Sequence, residues 1–302
     1  MLMEPPSIPE RPQGRGPSRQ GPVPPAAGGL AGIRRQEAWL AEQLPARSES
    51  EPPAIMGTRV EEVLKDRMLV TALQPIRQLS TGMVVGAEAL TRFVSHTGEP
   101  AGAWFAAATE ARLDGELEFA ALEAALAATE NLPAPLYVAL KLSPATCLHP
   151  LLPALLDEAA PALGRVVLEL TRPLAPEQPA ALVAALAPLR RRGLRLGVGH
   201  LGAYCNSIRH IRQLRPDIVK LDRNLVAGID GDASRHHLGE ALTTFADQLG
   251  AVLIAEGIET AAELAAISGL GITAGHGYFL GRPSLRPRDW AAWNDPAFIL
   301  PR

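Results

Sequence analysis

The chain has 302 residues, 47% hydrophobic and only 4% aromatic, and its formal charge of −3 excludes a basic, non-specific nucleic-acid binder. The length suits one large domain or two small ones, and a single barrel domain fits within it. Cys147 and Cys205 make neither a disulfide framework nor a zinc site, no apolar run approaches the ~18 residues of a membrane span, and the opening MLMEPPSIPERPQGRG lacks the apolar core of a secretory signal, so the composition predicts a soluble, cytoplasmic protein with no membrane partner.

Residues 1–56 read as a disordered Pro/Gly-rich segment, because the first 53 residues hold eleven of the 28 prolines and too little apolar surface to offset chain entropy. One island, IRRQEAWLAEQL from Ile33 to Leu44, places Ile33, Leu40 and Leu44 on one helical face beside Trp39. It reads as a transient linker helix or as a docking helix for a partner groove. From Gly57 the pattern changes, and RVEEVLKDRML predicts an amphipathic helix. LVTALQPIRQL and MVVGAEALTRF, joined by Ser80-Thr81-Gly82, predict a β-hairpin. Helices follow at about 103–113 and 116–130, then a strand at 137–143, a helix at 151–159, a strand at 165–171 and a helix at 177–192. The strand LRLGV at 194–198 leads to a helix at 206–214, a strand at 217–221, a helix at 233–249, a strand at 251–257, a helix at 260–269 and a last strand at 272–280. Eight strands alternating with helices predict an α/β fold closed into a TIM-like (β/α)8 barrel, with the hairpin making one strand antiparallel. The expected barrel domain is 57–292, followed by a tail at 293–302.

In such a barrel the C-terminal strand ends share one pocket. Those ends carry Glu88, Lys141, Glu169, Gly199 with His200, Lys220 with Asp222, Glu256 and His276. Any one of these carboxylates has a plain explanation as a helix cap or surface ion pair. Three glutamates and two lysines at one level predict a site, and Glu256 within the apolar VLIAEG needs a partner or a role.

The run QPIRQLSTGMVVGAEALTRF closely resembles the signature of EAL domains, the phosphodiesterases and receptors of cyclic di-GMP, with Glu88-Ala89-Leu90 as the naming tripeptide. The resemblance continues in LELT at 168–171, DIVKLDR at 217–223, AEGIET at 255–260 and GYFLGRP at 277–283, and covers roughly residues 60 to 290. It implies a modified barrel with a nucleotide groove, and in active members a pair of Mg²⁺ or Mn²⁺ ions that activate water against one phosphodiester bond. Glu88, Glu169 and Glu256 stand where the family has metal-binding carboxylates, and Lys220 where it has a lysine beside the attacking water. Gln74, Leu90, Arg92 and Glu259 stand at nucleotide-binding positions.

The departures cluster. Where the family reads roughly LALDDFGTGYSS, this chain reads LGVGHLGAYCNS, so Gly199 and His200 replace the aspartate pair, and Ala203 and Tyr204 replace the threonine and glycine of the loop, while Gly202 is kept. Lys141 replaces a ligating asparagine, His276 a glutamine, and Arg172 a glutamate. The family site sums to −4, whereas three glutamates and two lysines here give −1 with His200 taken as neutral. No metal cofactor is therefore expected, and Lys141 is expected to act as an internal counter-ion, since a protonated lysine cannot ligate a metal. A softer metal held by His200, Glu88 and Glu169 is the alternative that Lys141 opposes. The expected function is a degenerate, non-catalytic EAL domain, either a cyclic di-GMP receptor or a protein-interaction module; the alternative is a phosphodiesterase with residual or metal-altered activity that uses Mg²⁺ or Mn²⁺. A protein partner is expected, and an oligomer is left open.

Overall fold

The computed structural model describes residues 53–94, 98–159, 162–201 and 208–294. The chain enters on helix α1 (Pro53–Asp66), which takes in Pro53 to Met56, residues that composition alone had placed in the N-terminal segment. The rest of that segment, including Ile33–Leu44, lies outside the described residues.

Strands β1 (Leu69–Gln78) and β2 (Val84–Phe93) form the expected hairpin, paired antiparallel from Leu69↔Phe93 to Arg77↔Val84. Gly82 makes the turn at φ 73°, and its N–H donates to the Gln78 carbonyl at 2.8 Å. Helices α2 (Ala101–Ala111) and α3 (Asp114–Thr129) follow, then β3 (Tyr137–Leu142), a short α4 (Pro144–Cys147) capped by Ser143, and α5 (Leu151–Ala159). The chain continues through β4 (Val166–Leu170), α6 (Gln178–Arg191), β5 (Arg195–Leu201), α7 (Ile208–Leu214), β6 (Ile218–Leu221) and α8 (Arg223–Val226). It closes with α9 (Ala233–Leu249), β7 (Val252–Ala255), α10 (Ala261–Gly269), β8 (Ala274–Gly275) and α11 (Pro287–Ala291). Thr260 and Glu263 start α10 with a reciprocal capping box.

The eight strands close in sequence order into a barrel, with β1 antiparallel to both neighbours and the remaining pairs parallel. The last strand is much shorter than the predicted 272–280. After β8 the chain folds across the barrel end: the Phe279 N–H donates to Ile258 O at 3.1 Å, and a Cβ on Gly277 would lie 2.1 Å from that same oxygen. Backbone this close is open only to glycine, so GYFL forms a packed turn instead of extended chain.

Side-chain alternation sorts the interior into layers. Ile76, Tyr137, Ala139, Val167, Ile218, Ile254 and Ala274 form one buried apolar cluster inside the barrel. The opposite strand faces, with Leu140, Leu168, Leu170 and Val198, pack against the helices in a larger cluster that includes Leu122 and Leu126 of α3 and Leu182, Leu186 and Leu189 of α6. A third cluster joins Val60 and Val63 of α1, Leu69 of β1, Trp104 of α2 and Leu117 of α3. It braces the open end of the hairpin, where Phe93 stacks on Trp104 at 4.8 Å. Trp293, assigned by sequence to the tail, is buried against the barrel. Cys147 is a buried free thiol, and burial pushes its pKa up to about 12; Cys205 lies outside the described residues. Among the described residues no helix is long and apolar enough to cross a membrane.

The interior cluster leaves little slack at Gly86, where an added Cβ would meet the Tyr137 ring at 2.6 Å. Gly86→Ala is expected to cost ~1–3 kcal/mol as overpacking. Gly115→Ala, with nothing within 4 Å of the new methyl, is expected to be neutral or to gain up to ~1 kcal/mol from helix propensity. Urea unfolding midpoints compare the two, and equal midpoints would contradict this packing.

Candidate functional site

Directly above the apolar cluster, the inward positions change from hydrocarbon to charge. The register that pairs Glu88 with Ala139, Lys141 with Glu169 and Lys220 with Ile254 brings the predicted residues to one level. Glu88 and Lys220 are each 1% exposed. Glu169, Glu256 and His276 are buried beside them.

Lys220 is the hub. Its Nζ lies 2.5 Å from Glu169 Oε2, 3.0 Å from Glu88 Oε2 and 3.0 Å from Glu256 Oε1, donating a hydrogen bond to Glu88 and pairing as an ion with all three carboxylates. Lys141 Nζ stands 2.5 Å from the other oxygen of Glu88, and His276 Nε2 is 2.8 Å from Glu88 Oε2 and 3.7 Å from Glu256 Oε1. Burial opposes the charge on Lys220, but the three glutamates hold its pKa well above the usual lysine range. Burial alone would raise Glu88, yet Lys141, Lys220 and His276 hold it well below the usual carboxylate range. Glu256 is lowered in the same way, with Lys220 and His276 outweighing burial. For Glu169 burial wins over Lys220 and Lys141, and its pKa is raised. His276 is pulled down by burial and lifted further by Glu88 and Glu256, to about 9.

Three carboxyl groups thus face two lysine ammonium groups and His276. The count of −1 read from the sequence left out His276, whose pKa the neighbouring glutamates raise to about 9. The signal was the glutamine-to-histidine difference itself, since histidine gains a proton beside carboxylates. Gly199 sits against the same cluster, where an added Cβ would fall 2.8 Å from Glu169 Oε1. His200 is the next residue of β5, and the loop from Gly202 to Asn206 lies outside the described residues. Asp222 caps α8, accepting from the Asn224 N–H at 2.7 Å.

The remaining predicted positions ring this layer. Gln74 donates to Gly281 O at 2.9 Å, bridging the seam where β1 meets the chain after β8. Glu259 is held by the Arg223 guanidinium, with Nη2 2.7 Å from Oε2. Leu90 and Arg92 lie farther along β2 and line a cavity of about 290 Å³ together with Phe105, Glu118 and Lys141. Arg92 donates only locally, to Thr91 O at 3.0 Å, among the hydrogen bonds of the described residues. Glu118 was not singled out from the sequence. It accepts from the Ser143 N–H at 2.9 Å and lies 3.8 Å from Arg172, whose guanidinium also reaches Asp114 and Thr109. Its signal was an acid on the apolar face of α3, in line with Ala121, Leu122 and Ala125.

A closed barrel with its first strand reversed and acids and bases gathered at the strand ends is a modified (β/α)8 barrel built around a strand-end site. Residues 58–283 match the EAL domain family, and the chain belongs to it. It is 27% identical over 249 residues, 79% of this chain and 30% of that protein, to an uncharacterized signaling protein of Caulobacter vibrioides. It is 28% identical over 105 residues, 35% of this chain and 20% of that protein, to the probable cyclic di-GMP phosphodiesterase PdeD of Escherichia coli. The chain spans only about a third of the length of the first of these relatives. The PaMucR phosphodiesterase in complex with cyclic di-GMP shares the fold, with a TM-score of 0.69 at 22% identity over 76% of this chain and 97% of that one.

Glu88, Glu256 and His276 bring ligand atoms within 4.8 Å of one another, the spacing of a metal-binding group. Lys220 lies 3.0 Å from both Glu88 Oε2 and Glu256 Oε1. The ammonium of Lys141, 2.5 Å from Glu88 Oε1, stands where the family has a neutral ligand and opposes a divalent cation beside Glu88.

The sign of the His276 contribution is testable. A folded pKa raised from 6.5 to about 9 adds stability that is fully present below about pH 6.5 and is lost as pH rises through about 9. His276→Gln is expected to lower unfolding free energy by roughly 2–3 kcal/mol near pH 6 and by little near pH 10. Chemical denaturation at the two pH values reads the difference, and an equal loss at both would contradict a protonated His276.

Proposed function

We propose that this EAL domain is a non-catalytic receptor for cyclic di-GMP that binds the nucleotide without metal. The observation that carries the reading is the set of departures from the family: Lys141 Nζ stands 2.5 Å from Glu88 Oε1 and His276 Nε2 2.8 Å from Glu88 Oε2, while Gly199 and His200 replace the aspartate pair; Lys220 is common to this chain and the family. Each carboxylate standing at a metal-ligand position of the family is already matched to an internal cation. Catalysis in active members draws on a metal-activated water, and this chain lacks the aspartate pair and carries Lys141 where the family has a ligating asparagine. The loss of charge has a second consequence. A layer near neutrality does not repel a phosphodiester, so the anion needs no metal to screen it.

Nucleotide recognition is assigned to Leu90, Arg92, Gln74 and Glu259. Support is strongest for Leu90 and Arg92, which border the cavity, because a guanidinium with no carboxylate in ion-pair distance among the described residues suits a phosphate. The engagement of Gln74 with Gly281 and of Glu259 with Arg223 favours a second reading, a protein-interaction module that no longer takes nucleotide.

Isothermal titration with cyclic di-GMP, with Mg²⁺ and with EDTA, separates these readings. The receptor reading predicts the same affinity in both, and a ten- to hundredfold loss in Arg92→Ala, the usual cost of a charge-assisted contact at ~1.5–3 kcal/mol. Binding abolished by EDTA would reinstate a metal site, and no binding at all would favour the interaction module. Linear dinucleotide formation with Mg²⁺ or Mn²⁺ is expected to stay at the level of Glu88→Ala, and turnover above it would establish a phosphodiesterase.

A further inference from the structure

Lys65, Lys141 and Lys220 are the three lysines of the chain, and two of them stand in the barrel site. Those two differ in what their donors do. Lys220 is buried with its Nζ within 3.0 Å of three glutamates, so it is enclosed away from a ligand. Lys141 has one carboxylate within ion-pair distance among the described residues, Glu88, and its side chain is 32% exposed. It also borders the cavity that Leu90 and Arg92 line.

On this basis we propose that Lys141 is a phosphate-binding residue, its ammonium pinned on one side by Glu88 and presenting its remaining donors with Arg92 to one phosphodiester group of the nucleotide. The inference rests on the receptor reading above and adds to it the residue that takes over phosphate neutralisation. Glu88 fixes the ammonium in place, so little side-chain freedom is lost on binding. The apolar wall of Leu90 and Phe105 lowers the local dielectric and strengthens the contact. Arginine is the usual choice for planar bidentate recognition, whereas a lysine binds phosphate as a point charge and can serve two anions from one nitrogen.

The test compares cyclic di-GMP affinity in the unmodified chain, Lys141→Met and Lys65→Met, the last removing the same charge from an exposed position on α1. Lys141→Met is expected to weaken binding at least tenfold and Lys65→Met to leave it unchanged. Because Lys141→Met also removes a partner of Glu88 and its fold has to survive that loss, a measurement on the unmodified chain accompanies it. With lysine labelled in the side-chain nitrogen, three ammonium signals are expected, and the Lys141 signal should move most on saturation with cyclic di-GMP. A saturated chain with a stationary Lys141 signal, or a folded Lys141→Met that binds as tightly as the unmodified chain, overturns this inference and leaves the receptor reading standing. Absence of binding by the unmodified chain overturns the receptor reading and this inference together.

Discussion

The architecture of the site depends on one interaction, the ammonium of Lys220 among Glu88, Glu169 and Glu256. Three buried carboxylates on neighbouring strands repel one another, and the barrel closes over them only with compensating charge in the middle. Lys220 is fully enclosed and stays charged because those same carboxylates outweigh its desolvation. Lys141 and His276 complete the balance from either side of Glu88. Removing one member leaves the others buried and unmatched, the situation in which charged groups cost a fold most.

The layers beneath and beside this cluster set its properties. The apolar cluster from Ile76 to Ala274 keeps the charged layer dry from below, which strengthens each ion pair. The absence of a side chain at Gly199 leaves the Glu169 carboxylate free of a neighbouring acid on β5. Beyond the layer, β2 carries Leu90 and Arg92 to the cavity, while α1, α2 and the start of β1 brace that edge through Trp104. The cavity wall beside this layer carries Arg92 and Lys141 together with Glu118.

Much of this was legible in the chain. Alternation of apolar runs gave the barrel, its hairpin and the placement of seven strands to within a few residues. Strand ends read from that pattern held the residues that the structure gathers around Lys220. The resemblance carried by Glu88-Ala89-Leu90, LELT and DIVKLDR singled out Glu88, Glu169 and Lys220 among the charged residues at those strand ends. What escaped was decided by contacts distant in sequence. β8 stops at Gly275 because the Ile258 backbone lies across the path of Gly277, and no local pattern encodes that approach. The hub role fell to Lys220 and not Lys141 because strand register, not residue type, decides which ammonium reaches three acids. Helices α4, α8 and α11 are too short for periodicity to mark, although Ser143 and Asp222 are recognisable caps for the first two.

The central claim is that internal cations have taken the place of a metal pair, and metal-dependent thermal stabilisation tests it most directly. The unmodified chain is compared with a variant carrying Lys141→Asn, Gly199→Asp, His200→Asp and His276→Gln, which removes two of the cations and returns two acids to β5. The account predicts a melting temperature indifferent to Mg²⁺ in the unmodified chain and a rise with Mg²⁺ in the variant. Stabilisation of the unmodified chain by Mg²⁺, or a folded variant that ignores it, would contradict the account.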